Sequence, residues 1–313
     1  MHGEKRATLL NRTLMHTAAR MYYIDGIPQV EVARRMQVST ATVSRLLAGA
    51  RDEGIVRFQV PDLDEANEMG GALADALGLK SVRVLDSSQP AALATQVSIL
   101  LQEAGLGTGS VLAIGWGRTV QSVINAGLPV LPDITVIPTM GGTHQTAKHF
   151  QINEFVRSAA EQTRGNPCFL FAPSIVSPEL RAELMNDAAT ARVVSLWNSV
   201  DAAVLGIGNF QHARTMHDID LVSGSVELVA GDVARHYFDA GGNVQTWSGC
   251  ENLMAISPAQ LQRVPLSIGV ALGKDKVHAI IGAARSGMIS ALVTDIRTAE
   301  CVQEALEETD VQK

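Results

Sequence analysis

Five residues after one short apolar run have the composition of an anion-binding turn. Gly115, Trp116, Gly117, Arg118 and Thr119 follow an apolar run directly and precede residues with helical spacing. Glycines let backbone N–H groups approach an anion, a helix N-terminus supplies partial positive charge, and arginine and threonine add side-chain donors. The pattern predicts a phosphate site, with a tight turn carrying a surface arginine as the alternative. Because the third glycine is missing, it is not the dinucleotide-binding fingerprint.

Two further glycine-rich turns could add donors to the same site. Gly141, Gly142 and Thr143 follow a second apolar run, and Asn153 on the helix after them could reach the same cleft. Gly208 ends a third run in the same way. Paired glycines also accompany close backbone packing, so each of these turns is weak evidence by itself.

Three polar residues later in the chain could complete a sugar-binding cleft. Asp232 follows a glycine, and its carboxylate together with the Asn252 amide would suit sugar hydroxyls, although a solvated surface acid is as good an interpretation. Lys276 follows another apolar run and could pair with phosphate as a point charge. The neighbouring Asp275 lowers the positive charge there, which leaves an unphosphorylated polyol open as the ligand.

Arrangements typical of catalysis are poor in this chain. Its eight histidines have no metal-ligand spacing, and no serine occupies a nucleophile elbow. We therefore expect a protein that is not an enzyme, with no catalytic residue, metal or cofactor.

These turns imply a particular scaffold, because apolar runs alternate with helical stretches along the second part of the chain. Continuous apolar strands of this kind predict a parallel sheet covered on both faces, in an α/β domain. Ligands of such sheets bind outside the carboxyl ends of the strands, where all the turns above would lie. The predicted strands are 82–85, 111–114, 134–137, 168–171, 202–207, 266–271 and 291–293.

The stretch from Gln29 to Gly49 has the spacing of a helix-turn-helix. Val32, Val43 and Leu46 fall on the inward faces of two short helices, and Ala33 leaves room for the helices to cross. Ser39 or Thr40 would cap the second helix. A helix over residues 6–24, with Leu14 and Ala18 inward, would complete an all-α core, and residues 55–60 predict a short strand.

The outward face of this motif has side chains suited to DNA. Short polar groups and one long cation could reach base edges and phosphates in the major groove, and two arginines of the first helix would meet the phosphate backbone. The alternative is an ordinary helical hairpin in a protein core. The predicted DNA-binding residues are Arg34, Arg35, Ser39, Thr40, Ala41, Thr42, Ser44 and Arg45.

The charge distribution supports a division into two domains. The net charge is −7, but residues 1–60 carry nine Lys/Arg against five Asp/Glu, a net +4, which leaves −11 for residues 61–313. A basic head on an acidic body suits a polyanion-binding module joined to a different domain. The boundaries predicted are 1–60 for the DNA-binding domain and 61–313 for an effector-binding and oligomerisation domain. Without an apolar signal region or a membrane-spanning run, the protein is expected in the cytoplasm.

Taken together, these motifs resemble the SorC family of bacterial transcriptional regulators over nearly the whole chain. The resemblance is carried by the segments 42–47, 51–56, 115–119, 140–142, 206–208, 231–232 and 291–295, in that order. It implies a Rossmann-like effector domain similar to sugar-phosphate isomerases and deaminases, and a homodimer or homotetramer. It also implies a phosphorylated sugar or sugar alcohol as effector, with its phosphate at Gly117, Arg118, Thr119, Gly141, Gly142 and Lys276.

The expected function is a sugar-responsive regulator, most simply a repressor of a carbohydrate catabolic operon, that binds double-stranded operator DNA. An alternative is a sugar-phosphate isomerase or deaminase with an appended DNA-binding module. A constitutive activator with a degenerate pocket is a third.

Overall fold

The structure, a computed structural model, describes residues 12–56, 63–143, 151–209, 229–247 and 249–311. The chain divides into two compact units, Met1–Pro61 and Asp62–Lys313. Among the described residues, none of the helices combines the length and apolarity needed to cross a bilayer.

The described residues of the first unit form three helices. α1 covers residues 12–24, with its last turn, Arg20–Ile24, in π-helical form, and it is followed by α2 (Gln29–Met36) and α3 (Thr40–Asp52). Their shared core is apolar and consists of Met15, Ala18, Ala19, Val32, Ala33, Val43, Leu46, Leu47 and Ala50. One prediction for α1 was wrong: Leu14 is 40% exposed, and the neighbouring Met15 is buried instead.

The turn between α2 and α3 reverses the chain within three residues. Gln37 has φ +55° and ψ +40°, in the left-handed region that glycine occupies most readily. Its N–H donates to the carbonyls of Ala33 and Arg34, which ends α2. The predicted strand at residues 55–60 lies mostly outside the described residues, and Ile55 and Val56 form a bend.

A seven-stranded sheet organises the second unit, and all of its strand pairs are parallel. The order across the sheet is β1-β10-β9-β5-β2-β3-β4. The strands are β1 (Ser81–Leu85), β2 (Val111–Ile114), β3 (Thr135–Pro138), β4 (Asn166–Pro167), β5 (Ala202–Gly206), β9 (Leu266–Val270) and β10 (Ala291–Asp295). This confirms the predicted α/β class and the parallel sheet.

One predicted strand was displaced. Residues 168–171 form no strand, and the edge strand is the two-residue β4 that precedes them. The chain then leaves the sheet, since Phe171 is 77% exposed and the N–H of Leu170 donates to the Asn153 side chain at 3.2 Å.

Helices cover both faces of the sheet, because alternate strand residues enter different cores. In β2, Val111 and Ala113 belong to one apolar cluster, whereas Leu112 and Ile114 belong to the other. The helices are α4 (Leu63–Leu77), α5 (Leu93–Glu103), α6 (Arg118–Ala126), α7 (Ile152–Thr163), α8 (Pro178–Asn186), α9 (Ala188–Leu196), α10 (Pro258–Leu261), α11 (Val277–Arg285) and α12 (Ile296–Val311).

A small antiparallel sheet adds a second layer of backbone near the strand ends. It contains β6 (Gly208–Asn209), β7 (Val229–Val233) and β8 (His236–Asp239), in that order. β6 follows β5 of the large sheet after a single residue, so the three-stranded sheet lies at a carboxyl end of that sheet.

Candidate functional site

The outward face of α3 carries the side chains predicted to meet DNA. Ser39, Thr40, Ala41, Ser44 and Arg45 are exposed, and Thr42 is half-buried. The inward side of the same helix is closed by Val43, Leu46 and Leu47. The amphipathic spacing therefore turns one polar stripe toward solvent, as a recognition helix requires.

Ser39 fixes the start of α3. Its Oγ accepts a hydrogen bond from the Thr42 N–H at 3.1 Å and lies 2.8 Å from the Thr42 hydroxyl. Arg45 Nη2 donates to that hydroxyl at 3.5 Å, which is at the limit of a hydrogen bond. The guanidinium of Arg45 is thus only loosely held and can reach a base edge or phosphate.

The two arginines of α2 are already paired within their own helix. Arg34 Nη2 lies 2.7 Å from Glu31 Oε1, and Arg35 Nε lies 2.8 Å from the same oxygen. These hydrogen bonds lower the pKa of Glu31 to about 2, so its carboxylate is charged at neutral pH. The pairing reduces the positive charge that α2 presents to solvent.

A cavity of about 440 Å³ lies at the carboxyl ends of the parallel strands, within the size range of small-molecule sites. It is lined by the loops after β1, β2, β3, β5 and β9 and by the β7–β8 hairpin. The lining residues are Pro90, Trp116, Gly117, Arg118, Thr119, Ser122, Met140, Thr143, Gly206, Ile207, Gly208, Asn209, Asp232, Ala234, Arg235, Tyr237, Leu272, Asp275 and Lys276.

The first turn of α6 forms one wall of this cavity. Gly117 precedes the helix with φ +141° and ψ +160°, a conformation that side chains rarely adopt, and no side chain caps the helix. Arg118 and Thr119 then occupy the first two helical positions and line the cavity. Helix N-terminal N–H groups together with a guanidinium and a hydroxyl are the donors that a phosphate group needs.

Lys276 and Asp232 place opposite charges in the cavity wall. Lys276 Nζ donates to the Ile207 carbonyl at 2.5 Å. Burial lowers the pKa of Lys276, although the nearby Asp232 and Asp275 carboxylates oppose that change. Burial likewise raises the pKa of Asp232 against the opposing effect of Lys276, and Asp232 is a half-buried residue that lines the cavity. Both charged forms lack full solvation, so a polar ligand would be favoured there.

Asp275 is tied into the wall instead of being free in the cavity. Its Oδ2 accepts a hydrogen bond from Asn209 Nδ2 at 2.9 Å, and its backbone carbonyl accepts a second from the same amide at 3.2 Å. The acid predicted to weaken phosphate binding is therefore partly engaged by an amide from β6.

Two buried polar atoms of the cavity wall lack a hydrogen-bond partner within the described part of the chain. They are the Thr143 hydroxyl and the Arg235 Nε–H. Buried polar groups are nearly always paired in folded proteins, so a ligand in the cavity could supply the partners of these two.

The other predicted effector residues have structural roles and do not line the cavity. The Gly115 N–H donates to the Val204 carbonyl, and the Gly141 and Gly142 N–H groups donate to the carbonyls of Met254 and Ala172. A Cβ on Gly141 would lie 2.5 Å from the Pro173 oxygen, so glycine is required there for packing. The positions concerned are Gly115, Gly141, Gly142, Asn153 and Asn252.

Asn153 and Asn252 brace loops. Asn153 Oδ1 accepts from the Leu170 N–H at 3.2 Å while its Nδ2 donates to the Leu170 carbonyl at 3.1 Å. Asn252 closes a short 3₁₀ turn, Cys250–Asn252, and its carbonyl accepts from the Val176 N–H at 3.3 Å.

Several lining residues were absent from the sequence prediction, among them Ser122, Pro90 and Arg235. Ser122 lies one helical turn after Arg118 and could have been found from that spacing. Pro90 follows β1, and Arg235 lies in a hairpin turn. No signal in the sequence connects Pro90 or Arg235 to the other loops, because only the fold brings them together.

Metal ligation has no support in the described residues, which contain no group of three or more His, Cys, Asp or Glu side chains able to hold an ion.

The chain matches a family model over residues 62–303, the Sugar-bind family described as "Putative sugar-binding domain". It is 28% identical over 300 residues to the sorbitol operon regulator of Klebsiella pneumoniae, covering 90% of this chain and 95% of that protein. It is 26% identical over 311 residues to the transcriptional regulator LsrR of Enterobacter sp. strain 638, covering 94% of each.

Solved structures show the same similarity to transcriptional regulators. The full-length sorbitol operon regulator SorC from Klebsiella pneumoniae superposes with a TM-score of 0.68 at 26% identity, over 92% of this chain and 98% of that one. The probable sor operon regulator from Shigella flexneri gives a TM-score of 0.68 at 26% identity, over 76% and 99%. The similarity thus covers both the helical first unit and the sheet of the second.

Proposed function

Since the chain belongs to the Sugar-bind family of SorC-type transcriptional regulators, we propose that it represses a carbohydrate catabolic operon under the control of a phosphorylated sugar or sugar alcohol. The protein is a regulator of carbohydrate genes and not an enzyme, in line with relatives that are named as operon regulators. What we propose beyond the family is the class of effector, repression as the direction of regulation, and the oligomeric state.

The observation that carries the effector class is the wall that combines the start of α6 with Lys276. Arg118 and Thr119 in the first helical turn, with a lysine ammonium close enough to interact electrostatically with Arg118, suit a phosphate group. The Asp232 carboxylate and the Asn209 amide in the same cavity would accept from and donate to sugar hydroxyls. Gly208 and Thr143 complete the candidate contacts.

The DNA side rests on the exposed stripe of α3. Two copies of this stripe would read two half-sites of a near-palindromic operator, so the proposal includes a homodimer or homotetramer acting in the cytoplasm. A net charge of +4 on residues 1–60 is modest, and two such units would bind DNA more tightly than one.

The test is a titration of operator binding by the full-length protein. Fluorescence anisotropy with duplexes from the promoter region beside its own gene gives the operator affinity, first alone and then with phosphorylated sugars, phosphorylated alditols and their unphosphorylated counterparts. One phosphorylated compound should lower operator affinity by about 5- to 150-fold, the usual range of coupling between two sites.

Two results would contradict the proposal. If no phosphorylated compound changes operator affinity, the cavity is not a regulatory site of the proposed kind. If an effector tightens operator binding and a promoter reporter rises with it, the protein is an activator. A ligand that raises the unfolding temperature separates a working cavity from a degenerate one.

A further inference from the structure

Arg235 lies in a turn that is unusual for its composition. Val233 of β7 pairs with His236 of β8, so Ala234 and Arg235 are the whole connection between the strands. Their φ angles are +49° and +66°. Two-residue hairpin turns with positive φ at both positions favour Asn and Gly, and other side chains there cost conformational free energy. The fold therefore holds Arg235 in a left-handed backbone conformation that arginine disfavours.

The Arg235 side chain is buried, yet it belongs to the cavity wall. It is 7% exposed, and its Nη1 donates to Ser174 Oγ at 3.1 Å. Its Nε–H has no acceptor among the described residues, and no described carboxylate forms an ion pair with it. Asp232 lies near the guanidinium and interacts with it electrostatically, but the hydrogen bond that its Oδ2 accepts, at 3.3 Å, comes from the Arg235 backbone N–H. The Trp247 ring lies 6.0 Å from its central carbon. A buried guanidinium is normally paired with an anion, so the missing partner is expected from outside the protein.

The cavity thus has two cationic positions built from different elements. Arg118 and Lys276 come from the helices after β2 and β9, whereas Arg235 comes from the β7–β8 hairpin. A phosphate group at the start of α6 would use the first position and leave the Arg235 Nε–H without an acceptor.

We propose that Arg235 binds a carboxylate of the effector, and that the effector is therefore a phosphorylated sugar acid. This rests on the proposed function and narrows it, because a phosphorylated sugar or alditol has no second anionic group for this arginine.

Geometry and charge favour a carboxylate over a second phosphate. One edge of the guanidinium already contacts Ser174, so one edge is left, which matches a single bidentate carboxylate. Asp232 and Asp275 also line the cavity, and a second phosphate would add more negative charge beside them than a carboxylate does.

The experiment compares matched ligands by isothermal titration calorimetry with the full-length protein. One pair is 6-phosphogluconate and glucitol 6-phosphate, and the five-carbon pair is ribonate 5-phosphate and ribitol 5-phosphate. For at least one pair the acid should bind about tenfold or more tightly than the alditol, as a charge-assisted hydrogen bond predicts.

Variants of the turn formed by Ala234 and Arg235 distinguish ligand recognition by the guanidinium from the effect of backbone strain. Arg235→Gly should abolish the preference for the acid over its matched alditol, and its unfolding temperature should equal or exceed that of the parent. Ala234→Gly relieves strain in the same turn without removing the guanidinium, so it should keep the full preference. Arg235→Lys keeps the charge but not the planar fork, so it should reduce the preference, and it serves if the glycine variant fails to fold.

The proposal is overturned if no acid binds more tightly than its alditol, if the preference survives both Arg235→Gly and Arg235→Lys, or if fructose 1,6-bisphosphate binds more tightly than either acid. The proposed function has its own readout, because a phosphorylated effector that releases operator DNA from the Arg235 variants supports it in all of these cases.

Discussion

The outer face of α3 and the cavity of the second unit are both suited to bind phosphate groups, but they are built in opposite ways. On α3, the polar groups come from one short run, Ser39–Arg45, in which Ser39, Thr40, Ala41, Ser44 and Arg45 are exposed. In the cavity, exposed, half-buried and buried groups come from six segments of the chain that are up to about 190 residues apart, from Pro90 to Lys276.

This difference has a physical origin in desolvation. An exposed cation on a helix loses little solvation in the unbound state and gains by releasing counter-ions from DNA. Lys276 and Asp232 are partly desolvated before any ligand arrives, as their shifted pKa values indicate. The outer face of α3 can therefore bind DNA of many sequences. The cavity, in contrast, recognises a small molecule through polar groups that are incompletely paired in the unbound protein.

Arg118→Ala tests the cavity side with the largest expected effect. Loss of a charge-assisted contact to phosphate should weaken effector binding by roughly 10- to 150-fold, which corresponds to about 1.5–3 kcal/mol. Calorimetry gives the effector affinity, and anisotropy should show unchanged operator binding without effector. Arg181→Ala removes an exposed arginine of α8 and is the matched control. An unchanged effector affinity in Arg118→Ala would mean that Arg118 has no role in binding.

Arg45→Ala tests the DNA side. It should weaken operator binding by about 5- to 150-fold, the range for one base or phosphate contact, and leave the effector affinity unchanged. Arg45→Lys distinguishes the two kinds of contact, because lysine retains phosphate binding but loses a bidentate base contact. If both variants bind the operator like the parent, α3 does not present Arg45 to DNA.

Asn153→Ala separates bracing from binding. Removing both hydrogen bonds to Leu170 should cost about 1–3 kcal/mol of stability and lower the unfolding temperature by about 2–10 °C. Effector affinity measured well below that temperature should not change. Asn186→Ala, at the exposed end of α8, is the control. A specific loss of effector affinity with normal stability would return Asn153 to the binding site.

Glu31→Gln should have the smallest effect. It frees Arg34 and Arg35 to contact phosphates, so operator affinity should rise a few-fold and its salt dependence should steepen. A carboxyl with a lowered pKa keeps its interactions above its ordinary value of 4.5 and loses them only as pH falls toward about 2. The difference between variant and parent should therefore be constant from pH 6 to 8; weaker operator binding would show that Glu31 does not compete for these arginines.

Local patterns predicted the helix-turn-helix of the first unit, although the inward position of Leu14 in α1 was wrong. The spacing of Val32, Val43 and Leu46 correctly predicted α2 and α3, and Ser39 caps α3 as expected. Gln37 shows the limit of such patterns, because the turn needs a left-handed residue and the chain uses one other than glycine.

The cavity was predictable mainly where a residue lies in the loop after a strand, and Asp232, within β7, is an exception. Arg118, Gly208 and Lys276 obey that rule and line the cavity. Gly141 also follows a strand, but its lack of a side chain makes room for the backbone of Pro173. The sequence does not distinguish a glycine that makes room for a ligand from one that makes room for another segment of the protein. The contribution of Arg235 depends on a hairpin whose position is determined by tertiary contacts.

The position of β10 has a consequence for how the protein is made. β10 lies between β1 and β9, so Ser81 of the first strand pairs with Ala291 of the last. A ribosome must therefore synthesise nearly the entire chain before β1 finds its neighbour, whereas the three helices of the first unit are complete by residue 52. Pairing between such distant strands is slow to form, so the first unit can fold while the second unit is still an incomplete nascent chain.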